Sequence, residues 1–261
     1  TTVYTELGHP TAADFATRPG ARRLWRAAVR RASAVTALSR SAADAVTNLA
    51  GRVPHVLPPG CRLEQFPPDR EPRTGPPVLL FPADASEPRK GLHLLLQALP
   101  ALLATHPDLR LHLGGPGDPR PALDQLSPDA VDVRAAIDQL GVGQRNDLPG
   151  RYRTASVTVL PAWNEAFGLV LVESLASGTP VVCTATGGMS EIVDDEAVGR
   201  TFPRGDVGGL VGAVEAALEL ACAPGTATRC VEAARRFDWV GEIGPRHVAL
   251  YDELRQRRRG S

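Results

Sequence analysis

Short runs of branched aliphatic residues alternate along this chain with longer stretches whose apolar positions recur every three or four residues. The first pattern predicts strands and the second helices, and their alternation predicts a parallel sheet with crossover helices. "TVYTEL" (2–7) reads as a strand, "GARRLWRAAVRRA" (20–32) as a helix, "AVTALS" (34–39) as a strand and "SAADAVTNLAG" (41–51) as a helix. Ser41 is the expected cap of that last helix and Gly51 its end. Residues 52–77 are rich in proline and charge and read as an interdomain connection. A second series follows: strand "PVLLFPA", helix "GLHLLLQALPALLATHP", strand "LRLHLGG", a helix near "AVDVRAAIDQLG", strand "ASVTVLPA", helix "FGLVLVESLASG", strand "TPVVCTA" and a helical tail from about residue 206.

Length and composition narrow the functions. A chain of 261 residues suits one large domain or two small ones, and either buries a real core. Twenty-nine basic side chains face twenty-nine acidic ones, so bulk charge gives no polyanion-binding surface and nucleic acid is not an expected partner. Polar residues break every apolar run short of the roughly 20 residues that span a bilayer. The start "TTVYTELGHP" lacks the basic and apolar regions of a secretory signal, so the expected location is cytoplasmic. Cys61, Cys183, Cys222 and Cys230 have no metal-ligand spacing and read as buried or idle thiols; the six histidines read mostly as surface residues. No metal site is expected.

The stretch "PAWNEAFGLVLVESLASGTPVVCTATGGMSE" (161–191) carries the chemistry. A strand ends at Pro161, a loop follows, and a helix begins near Phe167 or Gly168 and stops at Gly178. Glu165 then lies outside the carboxyl end of a parallel strand, where open α/β sheets bind ligands. Glu173 lies about one and a half turns into the helix. Between them the backbone N–H groups of Phe167, Gly168 and Leu169 form a helix N-terminus, which favours phosphate. The next loop offers Gly187 and Gly188 on the same edge.

Spacing and residue type together make "NEAFGLVLVESLASGTPVVCTATGGMSEIV" resemble the donor-binding signature of retaining GT-B glycosyltransferases of family 4. "SAVTALSRSAADAV" and "HVLPPGCRLEQFPP" resemble the last βα unit and the linker of that family's first domain. "EPRKGLHLLLQALPALLATHPDLRLHLGGPGD" resembles the start of its second domain, and "FDWVGEIGPRHVALYDEL" its closing helix. The resemblance implies a GT-B-like α/β fold with a partial N-terminal, acceptor-side Rossmann-like domain (1–60) and a linker (61–77). A C-terminal nucleotide-sugar-binding domain (78–236) and a returning helix (237–261) complete it.

It also implies roles. Glu165 would contact hydroxyls of the transferred sugar and Glu173 those of the ribose. Phe167, Gly168 and Leu169 would offer backbone donors at the diphosphate and sugar, and Lys90 would neutralise the leaving diphosphate. Gly187 and Gly188 read either as ligand contacts or as a tight turn, and "GGPGD" (114–118) as a turn. The donor would be a nucleoside diphosphate sugar, with no further cofactor required.

The sequence departs from the family's pattern in four ways. Leu7 stands where members carry a histidine, with His9 two residues on. Ala83 and Asp84 replace a Gly-Arg pair that binds diphosphate. The strand and loop that reach toward the base are not evident between "QLGVGQR" and "DLPGRYRTAS". Several βα units expected before "TVYTEL" are not in the chain, so it reads as a fragment or an N-terminally shortened relative, its first strand's edge covered by a second copy or a partner chain. A non-catalytic accessory or nucleotide-binding protein is therefore the alternative to an enzyme. A nicotinamide-type dehydrogenase would need a Gly-x-Gly-x-x-Gly after its first strand, which is not evident. Arg22, Arg23, Arg26, Arg30 and Arg31 share one helix with Leu24, Trp25 and Val29. They read as a solvated face, with peripheral contact to an acidic lipid surface as the other option.

Overall fold

The computed structural model describes residues 2–16, 20–68, 75–127 and 130–259. Residue 1, Arg18 and Pro19 of the basic stretch, 69–74 of the expected linker and the last two residues lie outside it.

Two parallel sheets organise the chain. The first has the order β1-β2-β3, with β1 Val3–Glu6, β2 Ala34–Ala37 and β3 His55–Val56. Helices α1 Ala21–Arg31 and α2 Arg40–Ala50 connect its strands. The third strand lies within the stretch read as an interdomain connection. It is only two residues long, and the prolines around it mask any alternation of apolar and polar positions. The cap of α2 is also two residues earlier than expected: the Ser39 side chain, not that of Ser41, accepts the N–H of Ala42. Gly51 closes the helix in the left-handed region, as its position predicts.

The second sheet has six strands in the order β6-β5-β4-β7-β8-β9, all parallel. They are β4 Val78–Phe81, β5 Arg110–Leu113, β6 Ile137–Gln139, β7 Val157–Leu160, β8 Val181–Thr184 and β9 Gly199–Phe202. Between them run α3 Leu92–Thr105, α4 Arg120–Leu123, α5 Val131–Ala135, α6 Leu148–Thr154, α7 Leu169–Ala176 and α8 Met189–Ile192. Then come α9 Val207–Cys222, α10 Thr226–Ala234 and α11 Gly244–Arg259. Strands β7 and β8 are buried at every position, because helices cover both faces of the sheet; this is why they read as unbroken aliphatic runs. Helix α3 packs beside α9, and α7 beside α6 and α10.

Two expectations fail in this sheet. The helix foreseen through 130–141 ends at Ala135, and Ile137–Gln139 forms a strand on β5 instead. Strand β9 was not foreseen, because "GRTF" is short and half exposed.

The two sheets are tied where the chain crosses between them. Cys61 donates its N–H to Phe237 O at 2.8 Å, and Trp239 returns one to Cys61 O at 2.8 Å. A Cβ on Gly60 would lie 2.7 Å from the Trp239 ring, so only glycine lets the two crossing segments meet. Leu250 and Leu254 of α11 then pack on Ala34 and Leu57, bringing the last helix back onto the first sheet. Among the described residues no single helix is long and apolar enough to cross a membrane.

Candidate active site

In the second sheet, β4 to β6 run outward in one direction and β7 to β9 in the other. The order therefore reverses between β4 and β7, and the loops after those two strands face a crevice of the kind that binds ligands in open α/β sheets. Lys90 lies in the loop after β4, in a single 3₁₀ turn Pro88–Lys90, and Glu165 in the loop after β7.

The two side chains meet. Lys90 Nζ donates to Glu165 Oε2 at 2.5 Å, and Arg89 Nη1 to the same oxygen at 3.3 Å. Lys90 is 18% exposed and Glu165 16%, so the pair sits in a partly desolvated setting where charge acts more strongly than on the surface. Glu87 holds Arg89 through Nε. The loops are pressed together by their backbones: Trp163 donates its N–H to Arg89 O at 2.9 Å. Gly91 has φ 81°, and a Cβ there would stand 2.1 Å from Pro161 O. Asn164, beside Glu165, has φ 58° and is the one non-glycine in the left-handed region among the described residues. Strain of this kind concentrates where a loop's shape serves a site.

Helix α7 begins at Leu169, one or two residues later than expected, with Gly168 as its N-cap at φ 97°. No side chain caps that end, so its first N–H groups face out with the positive end of the helix dipole. Phe167 itself is core: its ring meets Phe237 edge-on at 5.3 Å. Glu173 is half-buried, and its Oε2 accepts the Tyr152 hydroxyl at 2.7 Å. Burial, reinforced by that carboxylate, pushes the Tyr152 hydroxyl well above its ordinary value, so it stays a donor. Below, Ser174 Oγ bonds Thr158 Oγ1 at 2.8 Å and Thr179 O at 3.1 Å, while Thr179 Oγ1 donates to Tyr152 O at 2.7 Å. These buried bonds lock α7 to β7 and α6 and so fix where Glu173 points.

Backbone from the Glu165 loop crowds the glycine pair. A Cβ on Gly187 would lie 2.3 Å from Glu165 O, and one on Gly188 2.3 Å from Ala166 O. Gly188 is buried and donates its N–H to Glu165 O at 3.3 Å, so this N–H supports the Glu165 loop. Thr186 Oγ1, one residue before the pair, is buried with no partner among the described residues.

Opposite Glu165, the first sheet completes a cleft of about 430 Å³. Its far wall includes Glu6, Leu7, His9 and Trp25, and its near wall Arg89, Asn164 and Glu165. Leu7 is 71% exposed there. Glu6 Oε2 accepts from Trp25 Nε1 and Tyr4 Oη, each at 3.1 Å. His9 Nε2 bonds Ser41 Oγ at 2.9 Å.

Asp84 is turned into its own loop, accepting from Ser86 N at 2.9 Å and Ser86 Oγ at 2.7 Å. Those bonds hold its carboxyl below the ordinary value. A strand and loop that the sequence does not signal stand just before "DLPGRYRTAS": β6 leads into Leu140–Gly143, with Leu140 and Val142 exposed. Arg151 pins this loop through Gly114 O at 2.8 Å, Gly141 O at 2.6 Å and Leu140 O at 3.3 Å. Sequence reasoning also passed over Arg89. Its signal was its place in "EPRKG", one residue before the lysine.

Of the histidines, His55 is exposed and the other five are half-buried. His106 Nε2 bonds Glu215 at 2.7 Å, and burial lowers the His112 pKa. Cys183 and Cys230 are buried, which pushes their thiols up to about 12, and Cys61 is buried as well. Cys222 is exposed and unpaired. Among the described residues no group of three or more His, Cys, Asp or Glu is placed to hold a metal ion. Arg22, Arg23, Arg26, Arg30 and Arg31 are all exposed along α1, and Leu24 is 76% exposed.

Two Rossmann-like sheets facing each other across a cleft, with the switch point of the larger one opening into it, define the GT-B class of α/β proteins. The chain belongs to the glycosyl transferases group 1 family, whose sequence pattern it matches over residues 64–237. It is 37% identical over 177 residues to a glycogen synthase of Mycobacterium tuberculosis, a match covering 65% of this chain and 41% of that protein. It is 33% identical over 259 residues to a phosphatidyl-myo-inositol mannosyltransferase of Propionibacterium freudenreichii, covering 96% of this chain and 62% of that one. Both relatives are therefore considerably longer than the part this chain spans. Among solved structures, sucrose-phosphate synthase from Thermosynechococcus elongatus superimposes with a TM-score of 0.82 at 25% identity, over 98% of this chain and 68% of that one. The Anabaena protein HepE in complex with UDP-glucose shares the fold, with a TM-score of 0.78 at 21% identity over 96% of this chain and 72% of that one.

Proposed function

We propose that this chain carries the donor site of an enzyme that moves a sugar from a nucleoside diphosphate sugar to an acceptor hydroxyl, with retention at the anomeric carbon. One observation carries the reading: Lys90 and Glu165 converge at 2.5 Å at the sheet's switch point, beside the uncapped N-terminus of α7. Breaking a glycosyl–phosphate bond leaves its electron pair on a diphosphate oxygen. Lys90, Arg89 and the N–H groups of Leu169 and its neighbours would take up that charge in place of a metal ion. Glu165, steadied by its two cations, would grip the sugar hydroxyls, and Glu173, oriented by Tyr152, the ribose. Exposed Leu140 and Val142 would flank the base. Family membership and likeness to a glycogen synthase and a mannosyltransferase support the reaction class. The domain boundaries at 60, 77 and 236 belong to the same proposal.

A second reading, a non-catalytic nucleotide-binding or accessory protein, is favoured by exposed Leu7 and by Asp84 in place of an arginine. The two part in one assay. Incubated with UDP-, GDP-, ADP- and TDP-sugars, the chain is expected to release one nucleoside diphosphate, with water as the default acceptor. NMR of the released sugar should show the donor's anomer first. The opposite anomer would remove retention, and nucleotide binding without any release would favour the accessory reading.

A further inference from the structure

Glu191 has no part in the chemistry described so far, yet its carboxylate leaves its own sheet. Its Oε2 accepts the N–H of Arg40 at 3.1 Å and its Oε1 that of Ser41 at 3.0 Å. These are the first two N–H groups of α2, and α2's own unit caps only the next one, through Ser39. A carboxylate at a helix N-terminus is held by charge-assisted bonds and by the helix dipole together.

The contact is anchored on both sides. On the donor side Arg236 grips the segment that bears Glu191, donating to Glu191 O at 3.2 Å, Ile192 O at 2.8 Å and the Asp194 carboxylate at 2.5 and 2.8 Å. Gly188, three residues earlier, is already bonded to Glu165 O. On the other side, Ser41 Oγ bonds His9 Nε2 at 2.9 Å. His9 lines the cleft across from Glu165, and its Nδ1 is buried with no partner among the described residues. A continuous path of polar contacts thus runs from the Glu165 loop through Gly188 and Glu191 to Ser41 and His9.

We propose that Glu191 is a positioning residue. It transmits the placement of the loop after β8 to the N-terminus of α2, and through Ser41 sets where His9 stands in the cleft. That the cleft admits an acceptor rests on the reading above; the positioning itself does not.

Amide hydrogen exchange and NMR of the full chain test it. In Glu191→Ala the Arg40 and Ser41 amides should exchange about ten-fold faster or more than in the parent. The ring C2-proton resonance of His9, assigned by its loss in His9→Gln, should shift. Glu191→Gln keeps an acceptor oxygen without the charge and should fall between. Unchanged exchange at both amides would overturn the proposal. So would faster exchange with an unmoved His9 resonance, because Glu191 would then be a helix cap and nothing more. Failure of the parent chain to bind any nucleoside diphosphate would count against the donor site and leave this result standing.

Discussion

Replacing Lys90 with alanine is expected to lower sugar transfer by about 10²- to 10³-fold, the usual cost of removing one preorganised group that stabilises developing charge. The loss should fall on turnover, because charge builds on the diphosphate only as the glycosyl bond breaks. Lys90→Arg should recover part of it, since the cation persists but its fork cannot reproduce a 2.5 Å point contact with Glu165. Fold stability should change little: the pair is only partly buried, and Arg89 still faces Glu165 when Lys90 is gone. Steady-state kinetics beside a thermal melt separate the two effects, and unchanged turnover in a folded Lys90→Ala would remove its role.

Gly91→Ala should be the most damaging single methyl in the site. Its φ of 81° lies where an L-residue pays about 1–2 kcal/mol. The new Cβ would also lie 2.1 Å from Pro161 O, which forces the loops after β4 and β7 apart at a further cost of about 1–3 kcal/mol. Gly205→Ala is the control, because its φ is 77° but nothing lies within 4 Å of the added atom. Chemical denaturation should show Gly91→Ala losing about 2–5 kcal/mol and Gly205→Ala only the conformational part. Equal losses in the two variants would mean that the loops are not held as described.

The C-terminal sheet was largely legible because buried parallel strands leave unbroken aliphatic runs, as in "VVCT" and "VTVL", and because Gly178 marks a helix end. Short elements escaped. Strand β3 has two residues and β6 three, and each takes its identity from a neighbouring strand and not from its own periodicity. Ser41 looked like a cap, yet Ser39, two residues earlier, performs that task and leaves Ser41 for His9. Glu165, Glu173 and Lys90 could be singled out by pattern, but not what holds them. Tyr152 emerges only when α6 is brought against the 161–173 segment, and Arg89, whose signal is its place beside Lys90, gains its partner Glu165 only when the loop after β4 meets that segment. Gly187 and Gly188 show the same limit: nothing in the sequence signals that both lie against the backbone of the Glu165 loop.

The proposed donor site puts a nucleoside diphosphate in the crevice between β4 and β7, with Glu173 on the ribose. Calorimetric titration of the chain with UDP, GDP, ADP and TDP, repeated on Glu173→Ala, is the deciding measurement. Saturable binding of one of them is expected, weakened in the variant by about 1–3 kcal/mol, the cost of losing hydrogen bonds to a charged group. Binding of equal strength in both proteins, or no binding of any of the four, would contradict it.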